Sequence, residues 1–338
     1  MSKEISIQEI ARLAGVSKTT VSRVINNKAE VNPQTRKKVE AIIEKYDYYP
    51  NARAQMFSYQ KTRNIALVFP RDEVATLSNP YYAELLQGVI EKAKETNYHI
   101  ILSCLAGDDC LNLVRSKMVD GLLILTPGSD AREKLEDLMQ LGLPVVSTAR
   151  VLGMKRLPHV IVDEYDATYK ILEYLIGLKH RHIAIINGPR TLYSTSQRCS
   201  AYKAALQEHG IELDNRLMLY GDTSVGDGMR QMHKLLDSGV DITAVFTGSD
   251  LMAIGASKAI AERGLKVPDD ISLVSTDGTD TVSLLDLPPT TFRQPTRLRG
   301  QLAMGMLVDL IEGRDTETSI MIPMDIQFKN TTGEQHKK

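Results

Sequence analysis

The chain has 338 residues, which is long for a single domain, and its 43% hydrophobic and 25% charged residues are typical of a globular protein with a sizeable core. It shows no N-terminal apolar run and no apolar stretch of membrane-spanning length, which argues against secretion or membrane insertion and for the cytoplasm. Residues 1–63 carry 12 basic and 6 acidic side chains, whereas the remainder carries 29 and 36. The basic segment can therefore neutralise phosphates, while the acidic body should stay away from nucleic acid.

The first predicted element is a short amphipathic helix. Ser6 and Glu9 have the spacing of a capping box, and Gly15 stands where a helix end requires a positive φ. Spacings of three and four residues place small and apolar side chains on one face, namely Ile7, Ile10, Ala11 and Ala14.

A second helix should follow directly, with Ser17 as its cap. Its inner face consists of Val21, Val24 and Ile25. Its outer face is polar and consists of Lys18, Thr19, Ser22, Arg23 and Asn26. Two such helices joined at a glycine predict a helix-turn-helix that reads the DNA major groove, in preference to an ordinary amphipathic hairpin with a solvated face.

A third helix is predicted from Asn32 as its cap and Pro33 as its first residue. Its inner face consists of Val39, Ile42, Ile43 and Tyr46. Residues 49–57, YPNARAQMF, would form only a marginal helix by themselves, because nucleation is unfavourable and few residues share it. Residues 58–63 are polar and typical of a linker.

From Asn64 onward, apolar strand-like runs alternate with amphipathic helical runs. The strand-like runs are 65–69, 99–104, 121–125, 144–147, 159–162, 182–186, 244–247 and 271–275. The helical runs are near 81–96, 130–141, 166–178, 197–209, 227–237, 250–263 and 296–312. This alternation predicts doubly wound parallel sheets, and the length predicts two lobes with a ligand cleft at the carboxyl ends of their strands.

Motifs of enzymes are missing from the sequence, which contains no G-x-G-x-x-G, no phosphate-binding lysine loop and no G-x-S-x-G. His180 and His182 lack a ligand partner at metal spacing and fit a solvated turn better, and Asp250 is explained as a helix cap. The glycines and aspartates of 221–228 indicate a loop and a helix start. Cys104, Cys110 and Cys199 form no metal or disulfide pattern, so neither a metal nor a cofactor is expected.

Several segments together resemble the LacI/GalR family of bacterial transcription repressors, over nearly the whole chain. They are IARLAGVSKTTVSRVINN, YYPNARAQMF, NPYYAELLQGV, GSDLMAIGASKAI, VPDDISLVSTDGTD and PPTTFRQP. The first is highly specific, and the others follow in the family's order and spacing.

The resemblance implies a repressor in three parts. A helix-turn-helix headpiece (1–49) precedes a hinge helix and linker (50–63) and an α/β core (64–330) that resembles periplasmic sugar-binding proteins. The core would consist of an N-lobe of 64–162 plus 292–322 and a C-lobe of 163–291 plus 323–330, and 331–338 would be a flexible tail. A homodimer of this kind should bind a palindromic operator in double-stranded DNA, because each headpiece reads one half-site.

The resemblance also assigns roles in DNA binding. Lys18, Thr19 and Arg23 take the base-reading positions, and Arg23 is the best candidate for a bidentate contact to guanine. The positions that hold phosphates are matched by Ser17, Ser22, Asn26 and Thr35. The minor-groove positions of the hinge are matched by Asn51, Ala54 and Phe57. Phe57, or Met56 before it, could be the apolar wedge between base pairs, or Phe57 could anchor the linker on the core.

For the effector cleft, the resemblance assigns Arg198 and Asp277 to hydrogen bonds with ligand hydroxyls. The two could instead form a structural ion pair that links the lobes. Asn79 and Tyr82, with Tyr81, stand where the family often has an aromatic wall, although an aromatic residue there is as often part of the core.

Departures from the family pattern leave the ligand open. Thr223 replaces a stacking ring, and Ala149 replaces a carboxylate, although Arg150 beside it fits the family. Ser249 replaces an asparagine. Arg150 and Ser249 are predicted to contact the effector with the four residues above. The segment between Cys104 and Asp120 is short, so its helix should be truncated. A sugar or sugar derivative is the expected effector, whereas a nucleoside or a phosphoprotein corepressor is the alternative. A solute-binding protein is disfavoured by the headpiece and by the missing signal peptide.

Overall fold

The computed structural model describes residues 5–25, 30–48, 61–69, 78–105 and 109–335. The chain divides into two compact units, Met1–Thr62 and Arg63–Lys338, which we call the helical unit and the α/β unit. Each unit has hydrophobic clusters of its own, so each is described separately.

The helical unit contains α1 (Ile7–Ala14), α2 (Lys18–Ile25) and α3 (Pro33–Lys45). The predicted capping box between Ser6 and Glu9 is present, and Gly15 ends α1 with φ +66°. The small core of the unit contains Ile10, Ala11, Ala14, Val21, Val24, Val31 and Val39. Tyr46 was expected on the inner face of α3 but is 45% exposed, because it follows the last helical residue rather than continuing the buried face.

The α/β unit contains twelve strands and eight α-helices among its described residues. The strands are β1 (Asn64–Phe69), β2 (His99–Cys104), β3 (Gly121–Ile124), β4 (Val145–Ser147), β5 (His159–Val162), β6 (Ile183–Asn187), β7 (Met218–Tyr220), β8 (Ala244–Thr247), β9 (Ser272–Asp277), β10 (Thr290–Arg293), β11 (Ser319–Ile322) and β12 (Asp325–Gln327). The helices are α4 (Pro80–Glu95), α5 (Asp109–Arg115), α6 (Arg132–Gln140), α7 (Glu164–Gly177), α8 (Tyr193–Glu208), α9 (Val225–Leu236), α10 (Asp250–Glu262) and α11 (Thr296–Glu312).

Two six-stranded sheets define the two lobes. Their strand orders are β11-β5-β4-β3-β1-β2 and β12-β10-β9-β8-β6-β7. All neighbouring strands run parallel except β10 and β12, which are antiparallel. The predicted class, an all-α helix-turn-helix plus two doubly wound α/β lobes, is therefore confirmed. Helix α5, which follows β2, contains only seven residues, as predicted from the short segment between Cys104 and Asp120.

A close helix crossing holds the first lobe together. Helices α4 and α11 meet at two glycines, and a Cβ atom at Gly88 would lie 1.9 Å from the carbonyl oxygen of Arg297. A Cβ atom at Gly300 would likewise lie 2.3 Å from the carbonyl oxygen of Leu85. Because both obstacles are backbone atoms, the two helices can approach this closely only where side chains are absent.

Two predicted boundaries need correction. Phe292 and Arg293 were assigned to the N-lobe, but strand β10 pairs with β9 in the second sheet, so the chain changes lobe after Arg293. The segment from 331 onward was expected to be a flexible tail, yet Thr331 is only 1% exposed. Its hydroxyl accepts from the backbone N–H of Thr290 and donates to the carbonyl of Leu273, which fixes the segment to the second sheet.

His180 lies beside this C-terminal segment rather than in a solvated turn. It is buried, and its two ring nitrogens contact the hydroxyl of Thr243 and the carbonyl of Gly333 at 3.0 Å each. Burial lowers the pKa of His180, so the ring is held neutral. The histidine is thus a structural residue of the second lobe.

We expect the Thr331→Val variant to lower the free energy of unfolding by about 1–3 kcal/mol, because two buried backbone groups lose their partner. Urea unfolding of the variant and of the control Thr281→Val, whose site is exposed, measures this difference. Equal midpoints for the two variants would show that the C-terminal segment does not stabilise the sheet.

Candidate functional site

A cavity of about 380 Å³ lies in the α/β unit. Residues that follow strands of both sheets line it, such as Thr126 and Glu164 after β3 and β5 and Gly248 after β8. This is the position where open α/β sheets bind ligands. All six predicted effector residues line the cavity, namely Asn79, Tyr82, Arg150, Arg198, Ser249 and Asp277. The structure thus brings them together, and contact with a ligand stays a prediction.

Arg198 extends from α8, and almost all of its N–H groups donate hydrogen bonds within the protein. Its Nε and Nη2 donate to the two carboxylate oxygens of Glu164 at 2.8 and 3.0 Å. Its Nη1 donates to the carbonyl of Gly248 at 2.9 Å, and Nη2 also contacts the hydroxyl of Thr276. A guanidinium has five N–H groups, so one hydrogen on Nη1 is left for a ligand. The ion pair of Arg198 is therefore with Glu164 and not with Asp277.

Asp277 ends strand β9 in a left-handed backbone conformation, with φ +86°. Its Oδ1 accepts from Nε2 of Gln294 at 2.8 Å and from the hydroxyl of Thr276 at 3.0 Å. Burial and the neighbouring carboxylate of Asp250 raise the pKa of Asp277. A strained backbone and a raised pKa at a cavity wall are typical of functional sites.

Asp250 was expected to cap helix α10, but Ser249 is the cap. The carboxylate of Asp250 instead accepts from the hydroxyl of Ser275 and from the backbone and hydroxyl of Thr279. The hydroxyl of Ser249 accepts from the N–H of Met252 at 3.2 Å, so its main role is to begin the helix.

The remaining predicted residues form the wall on the side of the first lobe. Asn79 caps α4 by accepting from the N–H of Tyr81, and the Tyr82 hydroxyl contacts that of Thr126 at 2.7 Å. Arg150 follows β4, and its guanidinium lies 5.3 Å from the ring centre of Tyr193 on α8, which belongs to the other lobe. Arg150 and Tyr193 therefore meet across the cavity.

The positions where the sequence departs from the family also lie here. Thr223 lines the cavity and has φ +71°. Ala149 also lines it, and its backbone N–H donates to the hydroxyl of Ser147. Neither side chain can stack on a ligand or carry charge. Among the described residues, no group of three or more His, Cys, Asp or Glu side chains could hold a metal ion.

Glu164, Gln294 and Arg299 are among the lining residues that the sequence did not predict. Glu164 pairs with Arg198, and Gln294 connects Asp277 to Arg299. Helical periodicity could have shown that Arg299 shares the buried face of α11 with Ala303 and Met306. No comparable signal marked the other two.

In the helical unit, α2 presents the predicted polar face. Lys18, Thr19 and Arg23 are exposed, and Ser17 caps the helix by accepting from the N–H of Thr20 at 3.0 Å. Among the described residues, Arg23 pairs with Glu30 at 3.9 Å, and both side chains are exposed, so the guanidinium can reach outward. Ser22 and Thr35 are half-buried. Asn26, Asn51, Ala54 and Phe57, and Met56 with them, lie outside the described residues.

The geometry defines a class of protein. A helix-turn-helix with an exposed basic and hydroxyl face belongs to DNA-binding proteins, and the cavity at the strand ends of two lobes belongs to proteins that bind small molecules. The described residues contain no helix long and apolar enough to cross a membrane.

The comparisons identify the family. Residues 6–51 match the model of bacterial regulatory proteins of the lacI family, and residues 62–332 match that of periplasmic binding proteins and the sugar binding domain of the LacI family. The chain belongs to the LacI family. It is a DNA-binding transcriptional regulator with a sugar-binding-type domain and not an enzyme.

Relatives and solved structures agree with this assignment. Catabolite control protein A of Priestia megaterium is 32% identical over 335 residues, which cover 97% of this chain and 99% of that protein. The structure of a Lac repressor dimer bound to operator and an anti-inducer has a TM-score of 0.84 and 28% identity, covering 98% and 100% of the two chains. A complex of the regulator CelR with cellobiose has a TM-score of 0.76 and 31% identity, covering 97% and 100%.

Proposed function

We propose that this protein represses transcription by binding a palindromic operator as a homodimer, and that a small carbohydrate effector in the cavity controls its affinity for DNA. The observation that carries the proposal is the convergence of polar side chains from both lobes on one cavity, in a chain that also has a helix-turn-helix. A ligand that contacts both lobes favours one lobe arrangement, and differential affinity is what shifts such an equilibrium.

The DNA contacts follow from the exposed face of α2. Arg23 forms a bidentate contact with a guanine, and Lys18 and Thr19 read neighbouring bases. Ser17, Ser22 and Thr35 hold phosphates and fix the register. Asn26 would join them, while Asn51, Ala54 and Phe57 would act near the minor groove.

The hydroxyl groups of the effector meet Arg198 and Asp277. Arg198 offers its remaining Nη1 hydrogen. Asp277 offers carboxylate lone pairs beyond those taken by Gln294, Thr276 and the backbone N–H of Asp250. Tyr82, Asn79 and Ser249 complete the polar lining.

A palindromic operator has two half-sites, so the proposal includes a second copy of the chain whose headpiece binds the second half-site. The Lac repressor of known structure is itself a dimer on its operator. We place the protein in the cytoplasm, where its DNA target lies.

We expect Arg23→Ala to weaken the free energy of binding to the operator by about 1–3 kcal/mol, because a bidentate base contact is lost. Gel shifts with DNA from upstream of the protein's own coding sequence measure the effect at fixed salt. The discrimination between operator and shuffled DNA should fall as well.

Thr35→Ala provides the control, because the loss of a phosphate contact weakens binding to operator and shuffled DNA by the same factor. If no palindromic site binds at moderate salt, or if Arg23→Ala binds as the wild type does, the proposed function is wrong.

A further inference from the structure

Arg299 is a buried charge in the wall of the cavity. It lies in the first turn of α11, its side chain is 4% exposed, and the turn contains no acidic residue. The close crossing of α4 and α11 at Gly88 and Gly300 holds this turn against the middle of α4, and the ring of Tyr81 near the start of α4 faces the guanidinium. Among the described residues, packing rather than an ion pair therefore sets the position of the guanidinium.

The hydrogen bonds of Arg299 are incomplete. Its Nη1 donates to Oε1 of Gln294 at 3.3 Å, and its Nε and Nη2 have no partner among the described residues. Arg198, in the same cavity, uses the corresponding Nε and Nη2 edge to hold both oxygens of Glu164. Arg299 thus has the donor edge that pairs with a carboxylate, and no carboxylate of the described residues pairs with it.

The surroundings only partly compensate the charge. The ring centre of Tyr81 lies 5.2 Å from the guanidinium, and Gln294 is neutral and fixed by its bond to Asp277. Burial lowers the pKa of Arg299 to about 10, so the side chain remains protonated at neutral pH. Burying a charge without an ionic partner is unfavourable, and Arg299 has none among the described residues.

We propose that the effector is an anionic sugar derivative, whose carboxylate or phosphate group binds Arg299. This inference rests on the proposed function, since it names the ligand class of the same cavity. The anion pairs with the guanidinium of Arg299 as Glu164 pairs with that of Arg198, and the contact of Nη1 with Gln294 need not break. Planar guanidinium groups recognise carboxylate and phosphate by such paired hydrogen bonds. The ligand hydroxyls then reach Asp277 and Arg198.

Calorimetric titration of the full-length protein with matched probes tests the proposal. The pairs are D-galacturonate with D-galactose and D-glucose 6-phosphate with D-glucose, so that one pair reports on a carboxylate and the other on a phosphate. We expect the charged member of one pair to bind at least about tenfold more tightly than its neutral counterpart. Arg299→Gln should remove that preference.

Arg297→Gln is the matched control, because Arg297 lies on the same helix but is exposed and pairs with Glu91 at 2.8 Å. It should leave the titrations unchanged. A neutral sugar that binds wild type and Arg299→Gln equally overturns the anionic effector and leaves the cavity as an effector site. If no probe binds, the result counts against the anionic effector and against the cavity as an effector site. The operator assay with Arg23→Ala tests DNA binding independently.

A second measurement needs no ligand. Because Arg299→Met removes an uncompensated buried charge and keeps the apolar volume, its Tm without ligand should exceed that of the wild type by a few degrees. A lower Tm would show that Arg299 stabilises the fold and would overturn the proposal.

Discussion

Replacing Glu164 with glutamine is expected to lower the free energy of unfolding by about 3–5 kcal/mol, because it leaves the buried guanidinium of Arg198 without its counter-charge. The pair is almost inaccessible to solvent, with both side chains 6% exposed. Urea unfolding measures the loss. The double variant Glu164→Gln with Arg198→Met should recover much of it, since no unpaired charge then remains buried.

Asp166→Asn is the control for this prediction. Asp166 lies on the same helix, α7, and pairs with Lys170 at the surface, where an ion pair contributes little. If Glu164→Gln and Asp166→Asn have the same effect, the Glu164–Arg198 pair does not stabilise the lobe.

Gly88→Ala should destabilise the α/β unit by about 3 kcal/mol, at the upper end of the range for overpacked positions. The added methyl would overlap the backbone of Arg297, so α4 and α11 would have to separate. The separation would also displace Arg299, so any ligand that depends on this residue should bind more weakly.

Gly226→Ala separates this steric effect from the helix propensity of alanine. No atom outside its local helix lies within 4 Å of a Cβ at Gly226, so the change should be neutral or stabilising by up to about 1 kcal/mol. A Gly88→Ala variant as stable as Gly226→Ala would mean that the crossing can relax without loss.

Much of the fold could be predicted, because long amphipathic helices and buried strands carry strong periodicity. The eight predicted strands are all present within two residues of their expected limits. The four missed strands, β7, β10, β11 and β12, contain only three or four residues each. Length alone does not explain the omission, because β3, β4, β5 and β8 are equally short. Strand β10 (TTFR) is mostly polar, and β7, β11 and β12 are edge strands that the sheets specify by pairing rather than by hydrophobicity.

Residues of the site could be predicted only where they lie in a segment that resembles the family. Arg198 and Asp277 stand in recognisable segments, but their true partners, Glu164 and Gln294, are distant in sequence and join them only through the folded sheets. Arg297 and Arg299 are two arginines on the same helix, but the first is exposed and the second is buried, because two residues correspond to about 200° around a helix. The sequence alone does not show which of the two faces the core; the orientation of α11 about its axis decides it.

The two edge strands β11 and β12 have a consequence for synthesis. Both come from residues 319–327, and β11 pairs with β5, with Ser319 opposite His159. Neither sheet can therefore be completed until almost the whole chain has left the ribosome. The contact of β11 with β5 joins segments 160 residues apart, with Ser319 opposite His159, which is the kind of topology that folds slowly. Residues 319–327 thus add the last strand to the sheet of each lobe, and a chain that stops before residue 319 lacks a strand in both sheets.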